Sequence, residues 1–291
     1  MKIQTMSIVC GTTACNARCP FCVSKMTPAS DFVGEYDQPN WYNFNKACQL
    51  ARIGGATTVL ITGKGEPTLY PGLIVSYLHQ LKDNGGFPFV ELQTNGIRLM
   101  TDYDVSSLRD LHSLGLTTIC LSAVHYESRR NREIYSSEYP SLTEVVPKLH
   151  DAGFTVRLSI MMMKGYIEKW EGLVSTVQFC KENKIEQLTM RPITRPHNCE
   201  SRVAKYVDEH KPTHEQICRI DQNLCKRYTE GGAMPVLHLS HGAVVYDFQG
   251  QNLCWTNCLT TNLTDDDIRQ IIFYPNGRIA YDWKYKGAIL L

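Results

Sequence analysis

Cys15, Cys19 and Cys22 stand in the segment Cys15-Asn16-Ala17-Arg18-Cys19-Pro20-Phe21-Cys22, spaced as CxxxCxxC. Three thiolates so close in sequence can curl around one face of a cubane iron-sulfur cluster, because thiolate is the preferred ligand of cluster iron. The segment supplies no fourth thiolate. One iron of such a cluster keeps an open position, where a small molecule can bind and be activated as it does in other catalytic metal sites. Two plainer readings compete. The cysteines could line one face of a helix at i, i+4 and i+7 and pack in a core. Alternatively, they could hold a structural zinc with a distant fourth ligand. Pro20, following the turn-forming Gly11-Thr12-Thr13, argues against a continuous helix. No CxxC partner nearby favours zinc.

A second constellation is Gly63-Lys64-Gly65-Glu66-Pro67-Thr68. Glycines let backbone approach a ligand closely, and a carboxylate can bind a cationic amino group. Its plain alternative is a solvated turn. Arg129, Arg130, Arg132, Arg191 and Arg195 gather where loops are expected. Arginine grips phosphate or carboxylate in a bidentate way, although solvated surface arginines are the commoner outcome.

These residues need elements to position them. Short β-rich apolar runs alternate with helix-like segments, the pattern of parallel βαβ units. Strands are predicted near residues 3–10, 57–62, 89–94, 117–123, 155–163 and 187–193, with helices near 42–53, 73–84, 102–114, 142–152 and 170–183. Glycines at residues 54–55, 85–86, 115 and 153 mark the helix ends. Right-handed crossovers close, or partly close, such units into a barrel whose reactive end lies at the strand C-termini. The candidate residues fall there: the cysteines after the first strand, Gly63 to Pro67 after the second, Asn95 after the third and His125 after the fourth. The expected class is therefore α/β, a partial (β/α)6 TIM-like barrel over residues 1–195. A smaller β-containing extension over residues 196–291 covers or flanks the mouth. Pro275-Asn276-Gly277 between apolar runs predicts a hairpin in that extension.

Composition sets the limits. With 291 residues, 43% of them hydrophobic, the chain can bury a full core. Thirty Lys and Arg nearly cancel 29 Asp and Glu, so no global field favours nucleic acid or an acidic membrane surface. No stretch approaches a membrane span and the first residues lack a signal-peptide run, so the cytoplasm is the expected compartment. Twelve cysteines are too sparse for a disulfide scaffold at this length and point to metal or redox chemistry.

The cysteine segment resembles the signature of the radical S-adenosylmethionine (SAM) superfamily, CxxxCxΦC with an aromatic at Φ, here Phe21. The resemblance covers residues 1–195 as the catalytic barrel. It implies that Cys15, Cys19 and Cys22 bind a 4Fe-4S cluster whose open iron chelates the amino and carboxylate groups of SAM. It further implies cleavage of SAM to methionine and a 5′-deoxyadenosyl radical, which takes a hydrogen atom from substrate. Gly63, Gly65 and Glu66 are similar to the family's GGE motif, with Lys64 standing between the glycines. Thr94, Asn95 and Ser122 lie where the family contacts SAM, as does the stretch from Ser159 to Met163, although Met161 to Met163 are more simply core filling. Arg191, Arg195 and His125 are the residues expected to meet substrate. A reductant protein such as flavodoxin or ferredoxin is implied as partner, with a small-molecule, nucleotide or peptide substrate; a membrane partner is excluded and nucleic acid disfavoured. The rival functions are a non-catalytic metal- or cluster-binding module and a radical SAM methyltransferase acting on RNA.

Cys254 and Cys258, with the hairpin after them, are loosely similar to the auxiliary-cluster region of the MoaA and SPASM/twitch branches. Where those branches place further cysteines, this chain has Asp282-Trp283. Either a second cluster is absent, or a remote residue such as Cys199, Cys218 or Cys225 completes it, or the pair is an ordinary reduced-thiol feature; one cluster per chain is the expectation, and without a terminal Gly-Gly the molybdopterin enzyme itself is not expected.

Overall fold

A computed structural model describes residues 2–27, 38–197, 199–239, 242–256 and 267–291. Six strands alternate with helices: β1 Lys2–Val9, α1 Trp41–Ile53, β2 Thr58–Thr62, α2 Pro71–Asp83, β3 Phe89–Thr94, α3 Ile97–Thr101, α4 Val105–Ser113, β4 Thr118–Ala123, α5 Ser128–Ile134, α6 Leu142–Asp151, β5 Thr155–Met162, α7 Trp170–Glu182 and β6 Gln187–Pro192. They pair in sequence order, all parallel. Next come α8 Arg202–His210, α9 His214–Leu224, β7 Met234–His238, β8 Val244–Phe248, β9 Gln251–Trp255, β10 Asp267–Phe273 and β11 Ile279–Ala280.

These later strands extend the same sheet on both sides. β9 adds parallel to β6, and β10 adds parallel to β1. Antiparallel β8 and β7 lie beyond β9, and β11 lies beyond β10 as the hairpin predicted around Asn276. The sheet runs β11-β10-β1-β2-β3-β4-β5-β6-β9-β8-β7 and is not closed.

Period-two alternation divides the sheet into two faces. Met6, Ile8, Val59, Ile61, Val90 and Leu92 point to the helices and join the main core. There Phe44 of α1 packs edge-on against Phe273 of β10, ring centroids 5.0 Å apart, and tilted against Tyr77 of α2 at 5.4 Å. Such buried rings contribute roughly 1.5–3 kcal/mol each and fix the helices to the sheet. The alternate positions form the inner face, which is unusually polar: Ser7, Glu91, Gln93, Ser122, Arg157, Ser159, Thr189 and Arg191.

Two helical expectations need correction. The helix predicted near 102–114 begins only at Val105, because the Asp104 carboxylate accepts from Ser107 N at 2.7 Å and caps it there. Arg129, Arg130 and Arg132 lie not in a loop but on α5, whose polar run carries no apolar period to betray it. Buried Asn131 holds that helix in place: its Oδ1 accepts from Val124 N at 2.8 Å and His125 N at 3.1 Å. No described helix is long and apolar enough to cross a membrane.

Candidate active site

The segment from Gly11 to Cys22 contains no helix, so the cysteines do not line a helical face. Their thiols are unpaired and reach solvent in part, whereas Cys10, Cys48, Cys120 and Cys180 are buried. Backbone and side chains hold the segment on three sides. Glu66 N donates to Ala14 O at 2.9 Å, Asn95 Nδ2 donates to Asn16 Oδ1 at 2.7 Å, and Arg18 N donates to Tyr135 O at 2.8 Å. Phe21 is buried and meets Tyr135 edge-on at 6.4 Å. Loops after β2 and β3 and the end of α5 thus converge on one thirteen-residue turn of chain numbered 10–22.

The electrostatics suit a polynuclear centre. Burial pushes the Cys19 thiol up to about 12, and negative charge on Cys22 and Cys15 pushes in the same direction. Cys15 is raised for the same reason, burial first, with Glu66 and Cys22 adding to it and a hydrogen bond from Ala17 N opposing. Three thiolates that repel one another need positive charge between them, which a cluster's iron supplies. Among the described residues, no three His, Cys, Asp or Glu side chains converge on a single ion.

The loop after β2 is built for contact with the cysteine segment. A Cβ on Gly65 would stand 2.0 Å from Ala14 O, and one on Gly63 3.1 Å from Cys10 O. The close approach that demands glycine is thus backbone on backbone. Glu66 is 3% exposed, and its carboxylate accepts four bonds. Oε1 takes Thr68 N at 3.1 Å, Thr68 Oγ1 at 2.7 Å and Thr94 Oγ1 at 2.5 Å, while Oε2 takes only Asn95 N at 3.0 Å. Burial raises its pKa, and those four donors oppose the rise. All four of these hydrogen-bond partners donate, which favours the ionised form against burial. Thr94 and Asn95, expected at the cofactor, serve this knot. Asn95 Oδ1 also accepts from Ile97 N at 3.0 Å and starts α3.

Other candidates divide by their partners. Ser122 faces Ser159 across β4 and β5, and its carbonyl accepts from Tyr139 OH at 2.9 Å. His125 Nδ1 accepts from Glu127 N at 3.0 Å, and burial lowers its pKa. Arg195 is committed to Asp208 at 2.6 Å and to Cys199 O at 3.0 Å, tying the chain after β6 to α8. Arg130 likewise pairs with Glu133 at 2.7 Å. Arg191 differs: among the described residues its buried Nε has no partner. The hydroxyls of Thr189 and Thr256 beside it are equally buried and unpartnered. Cys254 lies on β9 opposite Thr189, with Arg157 and Arg191 within electrostatic reach; Cys258 lies outside the described residues. Sequence reading missed three residues beside the cysteine segment: Tyr135, Tyr70, whose hydroxyl bonds Thr12 Oγ1 at 2.6 Å, and Lys64, which donates to Thr27 Oγ1 at 2.7 Å. Only Lys64 left a signal, as an oddity between glycines. A broad cleft at the starts of β5 and β6, lined by His150, Thr155 and Glu186, contains none of these residues.

The family profile described as "Radical SAM superfamily" matches residues 9–180, more than half of the chain. GTP 3′,8-cyclase of Staphylococcus saprophyticus is 24% identical over 178 residues, covering 60% of this chain and 50% of the cyclase. The chain thus spans about half the length of that relative. Streptococcus suis SuiB, solved bound to S-adenosylmethionine, superposes with a TM-score of 0.64 at 17% identity, covering 96% of this chain and 60% of SuiB. SuiB bound to its precursor peptide SuiA gives a TM-score of 0.63 at 17% identity, covering 96% of this chain and 59% of that one. At these identities the likeness is one of fold.

Proposed function

Since this chain belongs to the radical SAM superfamily, we propose that it reductively cleaves SAM and abstracts hydrogen from a substrate that carries an anionic group. The observation that carries the reading is the cysteine turn, with three unpaired thiols on one short segment held from three sides. Cys15, Cys19 and Cys22 would hold a 4Fe-4S cluster. When bound, that group supplies the electron that breaks a carbon-sulfur bond of SAM and releases the 5′-deoxyadenosyl radical.

The chain's own residues do the positioning. Glu66 has acceptor capacity left on Oε2, the oxygen that takes one internal bond, and offers it to the ammonium of SAM. Thr94 and Asn95 fix that carboxylate, while Gly63 and Gly65 press its loop against the cysteine turn. Phe21 closes one side of the turn against Tyr135, and Ser122 lies on the inner face beyond it.

Arg191 is the strongest candidate for substrate. A guanidinium whose buried Nε has no hydrogen-bond partner among the described residues, beside two hydroxyls in the same state, suits a carboxylate or phosphate. Nucleotides and peptides both carry such groups, and the relatives named for GTP and for a precursor peptide make both classes worth assaying. His125 lies at the same end of the sheet, and Arg195 acts by holding α8. Residues 1–195 would then be the catalytic part and residues 196–291 the part that shapes the mouth. Flavodoxin or ferredoxin would deliver the electron, in a reducing cytoplasm that keeps the thiols unpaired.

The test is anaerobic reconstitution with iron and sulfide, followed by SAM and dithionite. The parent should turn brown and release methionine and 5′-deoxyadenosine. A colourless protein that binds zinc and leaves SAM intact would overturn the reading in favour of a structural metal module. Transfer of the SAM methyl group to RNA would do so in favour of a methyltransferase.

A further inference from the structure

Lys64 interrupts the two glycines after β2, and its side chain has no part in the function above. It is 6% exposed, a rare state for a lysine. Its ammonium donates to Thr27 Oγ1 at 2.7 Å and lies 5.1 Å from the ring centroid of Trp283. Among the described residues it forms no ion pair with a carboxylate.

A buried ammonium without a counter-charge is costly. Burial accordingly pulls its pKa down to about 8, and the opposing influence is the negative charge of Cys22. The hydroxyl of Thr27 donates in turn to Val23 O at 3.1 Å, so Lys64 is pinned to the turn of 3₁₀ helix, Val23–Met26, that Cys22 itself begins. Trp283 covers the ammonium from the other side. It packs with Val9, Ile272 and Tyr274 on the inner face of β1 and β10. The segment after the C-terminal hairpin thus delivers an indole that keeps water from this one cation.

We propose that Lys64 is a positioning cation that raises the reduction potential of the cluster held beside Cys22. The proposal rests on the reading that Cys15, Cys19 and Cys22 hold a 4Fe-4S cluster. Reduction adds one electron to a centre that already carries thiolate charge. A fixed positive charge nearby stabilises the reduced state over the oxidised one, and a low local dielectric magnifies the effect. Lys25 provides the contrast. Its charge also reaches Cys15 and Cys19, but its side chain is exposed and screened.

The full chain would be reconstituted anaerobically as parent, Lys64→Gln, Lys64→Arg and Lys25→Gln, and titrated with dithionite without SAM while the reduced cluster is followed by electron paramagnetic resonance. Iron and sulfide contents equal to the parent's show that a variant is loaded. In Lys64→Gln the ratio of reduced to oxidised cluster at fixed potential should fall about tenfold, a downward shift of ~59 mV for one electron. Lys64→Arg should restore most of it, and Lys25→Gln should leave the potential unchanged. A loaded Lys64→Gln at the parent's potential would overturn the proposal, as would an equal shift in Lys25→Gln. If Lys64→Gln does not load, Trp283→Leu decides: water admitted beside the ammonium should lower the potential in the same direction, and no change would count against the proposal. Full loading of a Cys22→Ala variant would instead refute the cluster assignment, separating that failure from one confined to Lys64.

Discussion

Replacing Glu66 by Ala strands the groups that its carboxylate now ties together. The hydroxyls of Thr68 and Thr94 can turn to other acceptors, but the backbone N–H groups of Thr68 and Asn95 cannot. An orphaned buried donor costs roughly 1–3 kcal/mol, so two cost about 2–6. Water entering the polar gap offsets part of this, and a net loss of about 3 kcal/mol is expected. Glu66→Gln keeps a carbonyl toward the three donors on Oε1 and presents its amide to Asn95 N–H, losing one bond at about 1–2 kcal/mol. The assay is urea unfolding of the cluster-free protein, followed by circular dichroism, with the order parent, Gln, Ala. SAM affinity of the reconstituted proteins should follow a different order. Both variants lose the anionic Oε2, so both should weaken SAM binding alike. An Ala variant that unfolds at the parent's urea midpoint would refute the knot; equal SAM affinity in all three would remove Glu66 from the cofactor site while leaving the knot intact.

Gly65→Ala places a methyl 2.0 Å from Ala14 O and should cost about 3 kcal/mol by overpacking, with lower iron content after reconstitution. Gly72→Ala, with nothing within 4 Å, is the control and should not destabilise. Each of Cys15→Ala, Cys19→Ala and Cys22→Ala should abolish the brown absorbance and SAM cleavage; one variant retaining both would refute its assignment. His125 accepts from Glu127 N through a ring nitrogen that must be unprotonated, and burial lowers its pKa. A depressed histidine contributes stability above its unfolded pKa and loses it as pH falls through the folded one. Urea midpoints should therefore fall more steeply between about pH 7 and pH 5 in the parent than in His125→Gln, and equal slopes would sink that account.

The repeating units were legible in the sequence because each strand is a short β-rich run and each intervening helix an amphipathic one. Residues 89–94 and 187–192 show how closely such runs can be placed. α5 was not legible, since Ser128–Ile134 owes its fold to one buried amide, Asn131, rather than to a pattern. The extension was legible only locally. Asn276-Gly277 announces a hairpin, but nothing local says that β10 will lie parallel to β1 more than 260 residues away in sequence, as its pairing of Gln270 with Thr5 shows. Nor does spacing say that Asn16 will meet Asn95. Such pairings are set by the sheet order, which a single strand's composition does not carry.

The same long-range closure bears on the second cysteine group. Cys15, Cys19 and Cys22 lie within one another's electrostatic reach, as the raised thiols of Cys15 and Cys19 record. Cys254, by contrast, responds to burial and then to Arg157, Arg191 and Arg269, with no described thiol among its influences. Cys199 bonds Ser201 in the chain just before α8, and Cys218 lies against His214 within α9. Arg157 and Arg191 set positive charge near Cys254, although Arg157 is paired with Glu91 at 2.5 Å, and positive charge suits an anion better than iron, which itself brings positive charge. The polar inner face between β5, β6 and β9 thus offers positive charge beside Cys254. On that argument we propose that Cys254, paired with Thr189, shapes the mouth together with Arg191, and that the hairpin contributes the indole of Trp283 over Lys64.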